Sequence, residues 1–395
     1  MSIISGIHMK RKPYSIGIIG GGQLALMLVE AANKRGQKVC VQTNSQTDPG
    51  SIKADSIIQA DPLYLKGNKE LIEVSERVIF ENEWVDIDKL KLTGFDDFFI
   101  PSLSSIEPLV HRISQKRFLT KLNLPSPKWI SLKDYKGLDN QQKKDWIPPL
   151  MAKTFKGGYD GKGNKKILNL EELQIFVNNV DSDEWLFEEW VDFDNEFALL
   201  GSRDFGGKTR FFPLVETFQS NNVCDWVLSP AEITYEINQF ALNIFSSIVN
   251  ELNYVGVLGI EFFYGKNGLQ VNEIAPRTHN SGHFSIEACS SSQFDQQICI
   301  SSGIQTPEIN MISPGALMIN LLGLNDNKLS VEQRIDQLSR INGAHLHWYG
   351  KSEEIKGRKM GHITFLLAQN NHQKRLNKSK TIINQVRKIW PSPHD

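Results

Sequence analysis

The run Gly259–His283, GIEFFYGKNGLQVNEIAPRTHNSGH, constrains this chain more than any other segment. Gly-Ile-Glu-Phe-Phe and Leu-Gln-Val-Asn-Glu-Ile are rich in β-branched and aromatic residues and read as two strands. Lys266-Asn267-Gly268 between them is hairpin chemistry, because Asn and Gly tolerate the positive φ of tight turns. Such a turn brings Glu261 opposite or next to Asn272 and Glu273, at about 5 Å. Two carboxylates that close repel unless a cation lies between them, and hard oxygen ligands suit Mg²⁺ (with Mn²⁺ as the alternative) bridging a nucleotide's phosphates. Arg277, His279, Asn280, Ser281 and His283 follow directly. An exposed charged hairpin edge is the bland alternative, but Pro276 and the density of donors fit a shaped anion pocket better.

The chain of 395 residues has room for two or three domains of about 100 to 200 residues each. Its net charge of −1 gives no bulk field for nucleic acid or an acidic membrane, so phosphate-binding Lys and Arg must act locally, in a cleft. Cys40, Cys224, Cys289 and Cys299 are scattered, without Cys-x-x-Cys or zinc spacing, and are expected as reduced, buried thiols. The start MSIISGIHMKRKPYS lacks signal-peptide features, and no apolar run approaches the ~18 residues of a membrane helix. The expectation is a cytoplasmic protein with small-molecule partners, not nucleic acid or membrane.

Residues 15–43 read as strand, glycine turn, helix and strand, the opening of a Rossmann-like parallel α/β sheet. Gly20-x-Gly22-x-x-Ala25 matches the dinucleotide fingerprint loosely. The acid expected about 20 residues on is absent, the chain reading Gln42-Thr43-Asn44-Ser45. The glycines then suit a helix N-terminus close to a strand or a substrate phosphate better than an NAD site. Strands are expected at 56–58 and 78–80, the latter running into Glu81-Asn82-Glu83, where α/β sheets bind ligands. Those acids equally suit a plain polar loop. A helix is expected from Ile106 to Leu122, carrying His111, Arg112 and Lys116, before the Pro-rich junction Leu124–Pro127.

The strand Pro148–Lys153 leads into Lys156-Gly157-Gly158-Tyr159-Asp160-Gly161-Lys162-Gly163-Asn164. So many glycines exclude a stable helix or strand interior and, flanked by lysines, suit a lid whose N–H groups close over phosphates. Walker spacing is absent, and a flexible hairpin tip is the alternative. Glu184–Val191 is an apolar strand ending in Glu188-Glu189-Trp190-Val191, whose backbone can read an adenine edge, with Glu196 downstream for ribose hydroxyls.

Lys153, GGYDGKG at 157–163, EEWV with Glu196, Glu261 and Asn272-Glu273 follow the order and spacing of the ATP-grasp superfamily. Within it the chain resembles the N5-carboxyaminoimidazole ribonucleotide synthase family of purine biosynthesis from about residue 15 to 370. GGGQL at 20–24, NEIAPRTHNSGH at 272–283, Ser292-Gln293-Phe294 and GRKMGH at 357–362 are the specific elements. The resemblance implies an α/β and α+β ATP-grasp fold. It is divided into an extension at 1–14, a Rossmann-like domain at 15–125, an ATP-grasp domain at 126–305 (lid about 126–185) and a small C-terminal domain at 306–395. It implies an ATP-dependent carbon–nitrogen ligase that carboxylates 5-aminoimidazole ribonucleotide with bicarbonate through carboxyphosphate.

By the same resemblance, ATP meets Arg112, Lys153, Gly158, Tyr159, Asp160, Gly161, Lys162, Gly163, Asn164, Glu188, Glu189, Trp190, Val191, Glu196, Gln219 and Asn272. Mg²⁺ lies on Glu261 and Glu273. Arg277, His279, Lys351 and Arg358 take catalytic roles, and the ribonucleotide meets Glu81, Tyr159, Asn280, Ser281, Lys351 and Arg358. A homodimer and a functional link to the downstream mutase are also implied. Gln219 stands where the family often has His, and Ala25-Leu26-Met27 lacks the Gly-Arg many members show. The alternatives are another ATP-grasp ligase, a non-catalytic nucleotide sensor of the same fold, or, on Gly20–Ala25 alone, an NAD-dependent oxidoreductase.

Overall fold

The computed structural model describes residues 12–155, 163–324 and 329–393. Tyr14–Ile19, Val39–Thr43, Ser56–Gln59 and Ser75–Phe80 form a parallel sheet with the first strand between the second and the fourth. Ile16 and Ile18 are buried together with most of the helix Gln23–Lys34, which is buried continuously from Leu24 to Val29. Because these strands run parallel, the Gly20–Gly22 turn and Glu81 emerge at the same carboxyl end of the sheet, where an open α/β sheet offers its ligand crevice.

The segment expected as one helix from 106 to 122 is three pieces: Leu103–Ile106, a 3₁₀ turn Glu107–Leu109 and the helix Arg112–Lys121. Pro108 lacks an N–H and restricts Glu107, and His111 is extended (φ −125°, ψ 137°), so the helix restarts at Arg112. The Gln115 amide clips this last helix to the Gly268–Ala275 strand. It donates to the Ile274 carbonyl at 2.8 Å and accepts from the Ile274 N–H at 2.9 Å.

A second, four-stranded antiparallel sheet pairs Trp129–Ser131, Trp185–Glu189, Leu150–Thr154 and Asn164–Ile167 in that order, over a small core that includes Leu173, Phe176 and Phe187. The third sheet has nine strands. Gly268–Ala275, Gly256–Gly265, Asn195–Arg203, Val215–Ser220 and Val223–Ser229 run consecutively, and Thr209–Phe211 pairs with Asn195–Arg203. Gly315–Leu322, Lys359–Leu367 and Ala344–Trp348 extend the same sheet past Val223–Ser229. The helix Tyr235–Glu251 covers its first half, burying Ala241, Ile244, Phe245, Ile248 and Val249. All four cysteines are buried and free. Among the described residues no helix is long and apolar enough to cross a membrane.

Candidate active site

The three sheets meet around one cleft of about 770 Å³. Along Gly256–Gly265, Leu258, Ile260 and Phe262 are buried in the core, while Glu261 and Phe263 line the cleft, as strand alternation requires. The hairpin turn is Lys266-Asn267, closed by Gly268 at φ +75°. Glu261 pairs directly with Glu273, and the register then slips so that Phe262 pairs with Val271. Asn272 is the extra residue of that bulge, so Asn272 and Glu273 both reach the cleft although they are consecutive.

Glu196 lies on the neighbouring strand opposite Phe263, on the same face as Glu261. Burial first, then the charge of Glu261, pushes the Glu196 carboxyl up to about 8. Burial and the charge of Glu273 raise Glu261 to about 7. The carboxylates are therefore short of positive charge. Among the described residues no group of three or more His, Cys, Asp and Glu is close enough to hold a metal alone. Two facing carboxylates fit a hard cation whose remaining ligands are phosphate oxygens and water, the usual arrangement for Mg²⁺ at a nucleotide.

Lys153 donates to Asn272 Oδ1 at 3.1 Å and pairs with Glu188 at 2.8 Å. Lys116, buried behind, pairs with the other oxygen of Glu188 at 2.9 Å. Burial alone would raise Glu188, but the two ammonium groups outweigh it and hold it at about 2. Glu188 is thus a charged post between two lysines. Arg112 reaches within 3.9 Å of Glu273.

Glu81 closes the glycine turn. Its carboxylate accepts from the Gly22 N–H at 2.7 Å, and a Cβ on Gly20 would lie 2.6 Å from Glu81 Oε2. A Cβ on Gly22 would run into the same carboxylate, so glycine here makes room for Glu81. Burial raises the Glu81 carboxyl against this hydrogen bond and the charge of Lys351. Lys351 donates to Gln23 Oε1 at 2.5 Å and to the Lys359 carbonyl at 2.6 Å. Arg358 lines the same cleft and donates to the Glu353 carbonyl at 3.3 Å.

Arg277 is gripped by Glu83, which accepts from both Nε and Nη2. Burial pushes Glu83 up, but the guanidinium outweighs it and keeps the carboxyl below its ordinary range. His279 Nδ1 lies 2.8 Å from Ser281 Oγ, and its Nε2 is 3.5 Å from Glu261. Burial, helped by Arg277 and Lys359, drives its imidazole down to about 3, so it is neutral. Asn280 and Asn320 exchange amide hydrogen bonds of 3.0 and 2.8 Å.

Asn164, Glu189, Trp190, Val191 and Gln219 also line the cleft. Gly163, at φ +76°, accepts at its carbonyl from the Thr154 N–H and is not among the lining residues. Gly158, Tyr159, Asp160, Gly161 and Lys162 lie outside the described residues. Sequence reasoning did not keep Glu83, and it missed Gln23, Lys359, Asn221, Asn222 and the stacked pair Phe193–Phe263 (4.7 Å). Lys359 sits inside the GRKMGH motif, and Asn221-Asn222, both at positive φ, was a readable turn signal.

Three family models match in order: a ribonucleotide synthetase preATP-grasp domain over residues 14–106, an ATP-grasp domain over 117–294, and a phosphoribosylaminoimidazole carboxylase C-terminal domain over 316–375. The N5-carboxyaminoimidazole ribonucleotide synthase of Synechococcus elongatus is 38% identical over 96% of each chain. That of Bacillus subtilis is 34% identical over 89% of this chain and 91% of its own. The crystal structure of the Staphylococcus aureus synthetase complexed with ADP superposes with a TM-score of 0.83 at 32% identity, over 94% of this chain and 98% of that one. The Aspergillus clavatus enzyme in complex with ADP and 5-aminoimidazole ribonucleotide gives 0.84 at 25% identity, over 96% and 98%. By this identity, sustained across all three domains, the chain belongs to the N5-carboxyaminoimidazole ribonucleotide synthase family of ATP-grasp proteins.

Proposed function

We propose that the protein carboxylates 5-aminoimidazole ribonucleotide. ATP, bicarbonate and the ribonucleotide give N5-carboxyaminoimidazole ribonucleotide, ADP and phosphate. The observation that carries this reading is one cleft lined by two sets of groups. Lys153, Glu188, Glu196 and the facing Glu261 and Glu273 form one set, and Glu81, Lys351 and Arg358 the other. Arg277 and His279 line the same cleft.

Bicarbonate is a poor electrophile, because its charge is delocalised and its leaving group would be hydroxide. In the first step one of its oxygens bonds to the γ-phosphorus as the bond from that phosphorus to the ADP oxygen breaks. The product, carboxyphosphate, stays bound and carries phosphate as its leaving group where bicarbonate carried hydroxide. In the second step the exocyclic amine nitrogen bonds to the carboxyl carbon as the carbon–oxygen bond to phosphate breaks. The amine's proton goes to the departing phosphate, a base released right beside the amine.

Arg112, Lys153, the loop from Gly158 to Asn164, Glu188–Val191, Glu196, Gln219 and Asn272 hold ATP in this reading. Mg²⁺, or Mn²⁺ in its place, would sit on Glu261 and Glu273 and neutralise charge on the phosphates. Lys153 and Arg277 supply fixed positive charge as the phosphoryl group moves, and one well-placed cation is worth roughly 3 kcal/mol or more. Glu81, Tyr159, Asn280, Ser281, Lys351 and Arg358 receive the ribonucleotide. Gln219 hydrogen-bonds without carrying charge. A homodimer, a cytoplasmic location and hand-over of the product to a mutase belong to the same proposal.

Measuring ADP release with Mg-ATP tests this. Release that depends on both bicarbonate and 5-aminoimidazole ribonucleotide supports the reading. Release driven instead by formate or an amino acid overturns the substrate, and ATP binding without release overturns catalysis.

A further inference from the structure

Gln293 is wholly buried behind the cleft wall, at the first turn of the helix Gln293–Ser301, which a Ser292–Asp295 capping box fixes. Its amide meets the main chain of His279 on both sides. Oε1 accepts from the His279 N–H at 2.7 Å, and Nε2 donates to the His279 carbonyl at 2.7 Å. This pairing fixes the amide's orientation, because an amide oxygen cannot donate to a carbonyl. Nε2 therefore also donates to His283 Nδ1, 3.1 Å away, which leaves the His283 proton on Nε2.

The His283 ring faces the His362 ring at 4.9 Å. His362 in turn stacks on His347 at 4.4 Å and bonds the Tyr349 hydroxyl at 2.8 Å. His362 belongs to the strand that begins at Lys359, next to Arg358, and both of those residues line the cleft. Close packing leaves the arrangement little slack. A Cβ on Gly282 would lie 2.9 Å from Gln293 Cδ, and one on Gly259 would lie 3.0 Å from His279 Cβ.

We propose that Gln293 is a positioning residue: it sets the main chain of His279 and, through His283 and His362, aligns that loop with the strand that begins at Lys359 and follows Arg358 into the same cleft. The inference rests on the carboxylation reading for its kinetic consequence.

Gln293→Met keeps the length of the side chain and removes the donor and the acceptor. The expected result is a fall in kcat of about 100-fold, the scale of an ångström-level misplacement, with KM for ATP unchanged within about twofold. Gln293→Glu, which keeps the acceptor and loses the donor, should fall in the same direction. A folded Gln293→Met protein with wild-type kcat, changed only in its melting temperature, overturns the proposal. Should neither variant fold, ¹⁵N-histidine NMR of the wild-type protein decides: the neutral His283 ring must carry its proton on Nε2 and not on Nδ1. The opposite tautomer overturns the clamp. If the wild-type protein shows no ribonucleotide-dependent turnover, the carboxylation reading fails and the spectrum still tests the clamp independently.

Discussion

Glu261 and Glu273 stand directly opposite one another on adjacent strands, with a bulge that also sends Asn272 into the cleft. Replacing one carboxylate by an amide keeps the strand and removes a charge from the proposed cation site. Glu273→Gln is expected to lower kcat by about 100-fold or more, the scale for losing one electrostatic stabiliser. Its melting temperature should stay within a few degrees of wild type. Normal turnover at saturating Mg²⁺ would refute the assignment.

Glu261 and its neighbour Glu196 set a pH dependence. Glu196, at about 8, and Glu261, at about 7, both titrate above their ordinary value of 4.5. Between pH 4.5 and 8 the folded protein therefore holds protons that the unfolded chain has released. Without ligand, stability should fall as pH rises through that window. Mg-ATP should flatten the fall, because binding releases those protons. Melting curves from about pH 5 to about pH 8.5, with and without Mg-ATP, test this. An unchanged pH profile in Glu196→Gln would contradict it.

Lys116 should matter without touching substrate. It is not among the residues lining the cleft, yet it balances half of Glu188. Lys116→Met leaves Glu188 paired with Lys153 but strips the partner from its other oxygen, and an unsatisfied buried acceptor costs about 1–3 kcal/mol. Chemical denaturation should show that loss, and KM for ATP should rise because Glu188, no longer shared between two lysines, holds Lys153 more tightly. Unaltered stability would count against the paired-lysine account.

Several of these relationships could be read from the chain and others could not. The hairpin was legible because Asn267-Gly268 separates two alternating runs, and its register follows from the turn. The bulge at Asn272 was not, since its residues look like any polar strand end. The parallel opening sheet was legible from its strand–glycine–helix pattern. The break near Pro108 was missed because the apolar spacing on either side still suits one helix. Glu83 meets Arg277 across 194 positions, and no local pattern reports such a pairing. Gln293 clamps His279 from only 14 residues away, yet a buried glutamine carries no signal of what its amide grips.

The glycine turn offers a steric test. A Cβ at position 22 would occupy the space of the Glu81 carboxylate, so Gly22→Ala should displace Glu81. The expected result is a KM for 5-aminoimidazole ribonucleotide raised about tenfold or more, as when a buried polar group loses its partner, with KM for ATP little changed. An effect on ATP alone would place the turn at the other substrate.

The carboxyphosphate route is most directly tested with ¹⁸O-labelled bicarbonate. Attack by a bicarbonate oxygen on the γ-phosphorus, followed by carbon–oxygen cleavage, leaves that oxygen in the released phosphate. Mass spectrometry of the phosphate should find one ¹⁸O per ribonucleotide carboxylated. Phosphate free of label, alongside normal carboxylation, would contradict the account.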